Sequence, residues 1–253
     1  MEWAEYRSIK ALNWSTFKHF LTSPLHYKHA LTAPNEDTTG RLIGRAVHAL
    51  VLEEREDFVV FEGDRRGKAW TEFRDQNSGR DILRAVEADT VRAMAAAVRA
   101  HPKAMEVLDG QREVSRTWER GSRRCKGRLD CLGAEHVTDL KTCGPLPTLA
   151  RTAWSSGYVH QLDWYRHGAD VPMAYIVGVE AKAPHDVGVW EVDPGALDVA
   201  GRQIDEALAR LAECERDDRW PGAMGEVAVL GLPAWVLDDS DDDVESFGEV
   251  GDE

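Results

Sequence analysis

The chain has 253 residues, with 31 Lys and Arg against 45 Asp and Glu, a formal net charge of -14 and 43% hydrophobic residues. That apolar content suffices for a packed core, while the lack of any run of about 18 apolar residues excludes a transmembrane helix and the first residues lack the basic and apolar regions of a secretory signal. Four cysteines (Cys125, Cys131, Cys143, Cys214) fit neither a disulfide scaffold nor a C-x-x-C zinc site, so a soluble protein of a reducing cytoplasm is expected.

Taken in chain order, Leu12-Asn13-Trp14-Ser15 opens a short amphipathic helix, capped by Asn13 or Ser15, with Phe17, Phe20 and Leu21 on one face and Pro24 ending or kinking it. A second helix is expected from Thr39 to Glu53, with Ile43, Val47, Leu50 and Val51 at i, i+4, i+7 and i+8. A stretch rich in Gly and charge from Glu62 to Lys68 leads to Trp70 and Phe73. A long helix is then expected over Arg80–Arg99, with Ile82, Leu83, Val86, Met94 and Val98 inward, stopped by His101-Pro102.

From there the period changes. Glu113–Trp118, Cys125–Leu132 and His136–Leu140 read as three strands of a meander, turning at Gly121-Ser122 and Gly133-Ala134. Pro145 and Pro147 mark a loop, a helix is expected over Tyr158–His167, and Met173–Val179 and Val187–Val192 are two further strands. Pro194 suits the first turn of a last helix reaching Glu215. The order of elements fits a mixed α/β (α+β) fold, a central mixed sheet with an antiparallel meander flanked by helices, rather than a doubly wound sheet.

Charge is unevenly placed. Nine carboxylates and no Lys or Arg occupy Asp238–Glu253, a composition expected to be disordered and suited to solubility or to partner binding. Arg112, Arg116, Arg120, Arg123, Arg124, Lys126 and Arg128, by contrast, meet only Glu113 and Glu119 in their stretch. Such a local basic run suits phosphate contacts, or simply a solvated strand face.

The chemistry concentrates in Gly127-Arg128-Leu129-Asp130 and Thr138-Asp139-Leu140-Lys141. Asp139 and Lys141 share a strand face. With a two-residue turn at Gly133-Ala134, Asp130 lies opposite Val137 and diagonal to Asp139, about 7–8 Å away, with Arg128 facing Asp139 and with Leu129, Cys131 and Leu140 on the other side. Two carboxylates this close repel unless a cation sits between them. A divalent metal would supply that cation, and Lys141 could stabilise charge on a phosphoryl group. The same spacing also fits a ladder of surface ion pairs, Asp139 with Arg128 and Asp130 with Lys141. His48, with Gly44 and Gly40 one and two turns below it, sits on a helix stripe that can approach the sheet closely, and Gln161 and Tyr165 share one helix face.

Together, Gly44-x-x-x-His48 followed by Ala49-Leu50-Val51-Leu52-Glu53, Lys126-Gly127-Arg128-Leu129-Asp130, Asp139-Leu140-Lys141-Thr142 and Gly157-Tyr158-x-x-Gln161-x-x-x-Tyr165 resemble the PD-(D/E)xK nuclease superfamily. Within it the chain looks most like the exonuclease VIII (RecE-type) branch of phages and prophages, as do Arg66-Gly67-Lys68-Ala69-Trp70 and Leu232-Pro233-Ala234-Trp235. Leu129 stands where the superfamily pattern has Pro. The resemblance implies a restriction-endonuclease-like core within a single nuclease domain at 1–237, divided into a helical part (1–110), a sheet core (111–193) and a C-terminal helix with its extension (194–237), before the tail at 238–253.

It further implies that His48, Asp130, Asp139 and the Leu140 carbonyl bind Mg²⁺ or Mn²⁺, that Lys141 is the catalytic lysine, and that Gln161, Tyr165, Glu113 and Arg128 support the site or contact DNA. The implied reaction is metal-dependent hydrolysis of linear duplex DNA, 5′ to 3′, leaving 3′ overhangs for recombination. The implied assembly is a homo-oligomeric ring (trimer or tetramer) working with a single-strand annealing protein in a bacterial cytoplasm, without a membrane. Relatives with an iron–sulfur cluster use four spaced cysteines. Here three of the four lie between Cys125 and Cys143, in predicted core strands and the next loop, so no cluster is expected. An endonuclease or end-trimming nuclease of the same fold, and a non-catalytic acidic DNA mimic or interaction protein, remain alternatives.

Overall fold

The computed structural model describes residues 3–34, 37–224, 227 and 231. The acidic stretch and the Leu232–Trp235 motif lie outside them. In chain order the elements are α1 (Trp3–Ser8), β1 (Leu12–Asn13), α2 (Trp14–Thr22), α3 (Pro24–Ala30), α4 (Thr39–Glu53), β2 (Phe58–Phe61), α5 (Gly67–Gln76), β3 (Asp81–Arg84), α6 (Ala85–Ala100) and α7 (Pro102–Val107). Then come β4 (Gln111–Arg120), β5 (Arg123–Leu132), β6 (His136–Cys143), α8 (Leu146–Thr152), α9 (Tyr158–Ala169), β7 (Met173–Glu180), β8 (Val187–Glu191) and α10 (Pro194–Asp217).

Six strands form one mixed sheet in the order β1-β5-β6-β7-β8, with β4 also on β5. β4 and β5 pair antiparallel around Gly121-Ser122, both at positive φ, which gives the expected two-residue turn. β6 and β7 run parallel from His136↔Met173 to Cys143↔Glu180, joined by α8 and α9 as a crossover. The mixed α/β sheet with its antiparallel meander is therefore as the sequence pattern indicated.

Helices cover both faces. On one, Val47, Leu50 and Val51 of α4 and Val91, Met94 and Val98 of α6 pack against Cys131, Leu140, Val177 and Val179. On the other, Leu162 of α9 and Leu197 of α10 meet Leu129, Val137 and Ile176. Beside these, an aromatic cluster joins Trp14, Phe17 and Phe20 of α2 to Trp164 of α9 and to Ile204 and Leu211 of α10. Trp164 is fully buried, and its indole N–H donates to the Lys126 carbonyl at 3.1 Å. That bond meets the cost of burying a polar edge.

Several local expectations need correction. Asn13 caps α2, accepting from the Thr16 N–H at 2.9 Å, but Leu12-Asn13 is a short strand; α2 ends before Pro24 as expected, and Pro24 then opens α3. Leu21 is exposed. The helix expected from Arg80 begins only at Ala85, because Asp81–Arg84 pairs in parallel with Phe58–Phe61, and Val86 faces solvent at 62% exposure. His101 caps a new short helix, α7, its Nδ1 accepting from Ala104 N–H at 3.1 Å. Pro145 and Pro147 lead into α8 instead of a loop. α1 and α5 are additional, and α5 buries no side chain.

Candidate active site

The site lies where the sheet forks. One edge of β5 pairs with β4 along nearly its whole length. Its other edge is divided: Cys125 and Lys126 pair with β1, while Cys131 and Leu132 pair with β6. The Gly133 N–H donates to the His136 carbonyl at 2.9 Å, so the two turn residues are Ala134-Glu135 rather than Gly133-Ala134. The register places Asp130 across from Asp139 rather than across from Val137. The β5–β6 ladder ends there, because the Asp130 carboxylate itself takes the backbone N–H of Leu140 at 2.8 Å. A side chain thus occupies the bonding position of the next strand residue, and β5 and β6 part.

A second irregularity sits opposite. Glu113 has φ 54, and the β4–β5 register skips the pair it would form with Asp130. A non-glycine residue in the left-handed region is uncommon and reverses the alternation of side chains. The result is visible on either side of it. Arg112 reaches the Leu52 carbonyl of α4, whereas Val114 packs with Leu129 on the α9 face. Leu129 therefore lies in a different core cluster from Cys131 and Leu140, contrary to the single apolar face expected from strict alternation.

The two irregularities bring Glu113 and Asp130 together against α4. Ligand atoms of His48, Glu113 and Asp130 all lie within 4.8 Å of one another. His48 Nδ1 is 3.6 Å from Asp130 Oδ2, and its Nε2 is 2.7 Å from the Leu140 carbonyl. With Nε2 on that carbonyl, Nδ1 faces the Asp130 carboxylate beyond hydrogen-bond distance. Asp130 is only 13% exposed. Burial pushes its pKa up to about 7, with Asp139 and Glu113 adding to the rise against His48 and Lys141. Two carboxylates, an imidazole and a nearby carbonyl fit a hard divalent cation. Part of the glycine stripe serves this approach: a Cβ on Gly44 would stand 3.4 Å from Thr142 Oγ1, while one on Gly40 would meet only Thr38 of its own helix cap.

Asp139 and Lys141 project to the α9 side of the fork. Lys141 Nζ lies 2.5 Å from Asp139 Oδ2 and donates to Gln161 Oε1 at 3.1 Å. Gln161 Nε2 donates to Asp139 Oδ1 at 3.1 Å and to the Tyr165 oxygen at 3.0 Å. Every polar atom of that amide is used, which fixes its orientation. Burial would lower the Lys141 pKa, but the Asp139 and Asp130 carboxylates outweigh it and raise the pKa, so the ammonium persists. Burial, then Asp139 and Asp130, push the Tyr165 hydroxyl well above its ordinary value. Gly127 is required under this ring: an added Cβ would sit 2.8 Å from Tyr165 Cε1.

All the residues singled out from the sequence are thus gathered within one fork, but not in the ladder drawn from spacing. Asp139 pairs with Lys141, and Arg128 pairs with Glu113. Asp139 is absent from the close ligand group, and Glu113, treated above as supporting, takes its place. The backbone reversal that turns Glu113 inward has no sequence signal beyond a polar residue at a strand position, so its place in the group was not legible. Arg41 and Arg45 on α4 also line the cleft, whose volume is about 610 Å³. Arg45 is held by Asp37 and Asp81 at 2.7 Å each.

The sequence model of the PDDEXK-like domain of unknown function (DUF3799) matches residues 13–233. The chain belongs to this family. The superfamily resemblance drawn from the motifs is borne out at that level. Among solved structures, a candidate exonuclease from Eubacterium rectale aligns over 96% of this chain and 98% of its own, with TM-score 0.67 and 15% identity. At that identity it shows that this PDDEXK-like domain shares a fold, not an activity. A phage related exonuclease from Haemophilus somnus aligns over 82% of this chain and 96% of its own, with TM-score 0.40 and 13% identity. An alkaline exonuclease from Laribacter hongkongensis aligns over 66% and 94%, with TM-score 0.30 and 13% identity. Scores this low carry no argument. No curated protein matches the sequence.

Proposed function

We propose that this PDDEXK-like domain is a metal-dependent deoxyribonuclease that digests linear duplex DNA from its ends. The observation that carries the reading is the fork itself, which sets His48, Glu113 and Asp130 within 4.8 Å of one another beside the Lys141–Asp139–Gln161 network. His48, Glu113 and Asp130 would hold Mg²⁺ or Mn²⁺, with the Leu140 carbonyl as a further oxygen and Asp139 completing the acidic set. Bound there, the ion would polarise a phosphoryl oxygen and lower the pKa of a water.

The chain's own groups do the rest. Lys141, kept charged by its carboxylate neighbours, stabilises negative charge developing on the phosphate. Gln161 holds Lys141 and Asp139 in register, and Tyr165, protonated, braces Gln161. Arg128, bonded to Glu113, orients that carboxylate, and the guanidinium of Arg41 on the cleft wall suits a DNA backbone. The finer features of the reading are 5′ to 3′ digestion, 3′ overhangs, a ring of three or four copies, and an annealing partner in recombination.

The test is digestion of linear duplexes labelled at the 5′ or the 3′ end, with Mg²⁺ or Mn²⁺ and with chelator. Metal-dependent release of the 5′ label is expected, with covalently closed duplex left intact. Absence of hydrolysis with either metal would overturn the nuclease reading. Release of the 3′ label first would overturn the polarity, and nicking of closed circles would replace an exonuclease by an endonuclease.

A further inference from the structure

A second concavity of about 560 Å³ opens between α2, α10 and the start of α9, away from the His48 cleft. Its volume lies in the range of small-ligand sites. Trp154 stands at its edge, 39% exposed, with its ring 4.7 Å from that of His160. His160 also stacks on Trp14, at 6.1 Å between centroids and 8° between planes. His160 is 4% exposed, its Nε2 meets Gln203 at 2.7 Å, and its buried Nδ1 has no partner. An unpartnered buried nitrogen is a polar debt that a protein interior rarely carries.

The charge of the concavity points the same way. Lys18 and Arg210 line it, and neither takes part in an ion pair among the described residues. Burial, then the like charges of Lys141 and Arg41, lower the Lys18 pKa, and Glu206 is the one carboxylate among the lining residues. The N-terminus of α9, a twelve-residue helix, opens here at Gly157 without a side-chain cap. The Tyr158 N–H already donates to the Ala153 carbonyl at 2.9 Å, and the rest of this helix start favours an anion. Tyr158 stands between the concavity and the active site: Gly157 before it lines the concavity, and its ring lies 4.8 Å from Lys141 Nζ.

We propose that this concavity is a nucleotide subsite that takes an unpaired nucleotide of the DNA strand engaged at Lys141, with its base stacked on Trp154 and its phosphate met by Lys18, Arg210 and the start of α9. The proposal rests on the nuclease reading of the Lys141 site and adds to it a place where a strand end is held open beside the reacting phosphate. An exposed flat indole is tolerant of base identity, so the subsite accepts any of the four bases.

The test is binding of a short fluorescein-labelled oligothymidine to the full chain in chelator, read by anisotropy. Trp154→Ala is expected to weaken binding about 5- to 150-fold, the usual range for losing one base–aromatic stack, while Trp154→Phe retains most of it. Lys18→Ala and Arg210→Ala should each flatten the dependence of log affinity on log salt by about 0.7, one phosphate contact on a single strand. The Trp154→Ala variant should also show a raised KM on duplex ends. Absence of oligothymidine binding by the unaltered chain, or binding that Trp154→Ala leaves unchanged, overturns the subsite. Failure of the nuclease reading is distinguishable, because it appears as absence of metal-dependent hydrolysis by the unaltered chain, whereas the subsite is read without turnover.

Discussion

Helix α9 serves two ionic clusters at once. On the flank toward α10, Asp163, 3% exposed, accepts from Arg120 at 2.8 Å through one oxygen and from Arg166 Nε at 3.0 Å through the other. Arg120, 4% exposed, also donates to Asp205 at 2.7 Å and to the Gly201 carbonyl at 3.1 Å. On the flank toward the fork, Gln161 and Tyr165 lead to Asp139 and Lys141, and beyond them to Asp130, Glu113 and His48. Burying charge is costly unless each lone pair and proton is answered. In the Arg120 cluster both Asp163 oxygens and each Arg120 nitrogen have a partner within the protein. At the fork, Asp130 is pushed up to about 7 by burial and by neighbouring carboxylates. The comparison teaches that two buried carboxylates beside the same helix are treated differently: Asp163 is paired with two guanidiniums, whereas Asp130 is left with a raised pKa beside a second carboxylate and an imidazole, as the proposed metal site requires.

The largest effect that would break this contrast is on the Arg120 side. Arg120→Ala leaves Asp163 without its buried guanidinium and should lower the unfolding free energy by about 3–5 kcal/mol in urea melts. A loss under ~1 kcal/mol would mean that the cluster is not structural. Next, Lys141→Ala should cut hydrolysis of labelled duplex by about 10²–10³-fold, the cost of removing one charge-stabilising donor, with far-ultraviolet circular dichroism unchanged. Third, Asp130→Asn keeps an acceptor for the Leu140 N–H but removes a charge. In chelator its melting temperature should equal or exceed that of the parent chain, whereas the gain on adding metal at a hundred times its Kd, about 2.7 kcal/mol for one site, should vanish. Should Asp130→Asn melt lower in chelator, the two clusters are alike after all. Smallest is Tyr165→Phe, which removes the oxygen that accepts from Gln161. About 0.5–1.5 kcal/mol of stability should go, together with a modest fall in kcat and little change in KM.

Much of the frame was legible before the structure. Thr39–Glu53 emerges as α4 with those bounds because its apolar period is regular and Thr38 supplies a cap, accepting from the Arg41 N–H at 3.3 Å. Gly121-Ser122 turns as expected because both residues adopt positive φ. The gathering of His48, Asp130, Asp139, Lys141, Gln161 and Tyr165 at one place was also in reach, since motifs on successive elements of a small sheet have few ways to avoid meeting. What escaped has a common physical origin. Ile82 and Leu83 are buried and adjacent, a pattern that suits a helix start or a strand, and only pairing with Val59 and Val60 decides it. The one-residue shift of the turn to Ala134-Glu135 and the reversal at Glu113 are backbone choices made by the sheet as a whole. Local propensity carries no record of them, yet they decide which carboxylates face His48.

The bond between the Asp130 carboxylate and the Leu140 amide ties the chemistry of the cleft to the integrity of the sheet. A descendant of this chain that lost the acid would leave an amide hungry for a partner, and the nearest remedy is to zip β5 further along β6, sealing the gap. Loss of the acid and loss of the opening would then arrive together. Silenced copies should accordingly be recognisable by an unbroken hairpin, a mark that outlasts whatever residues later drift around it.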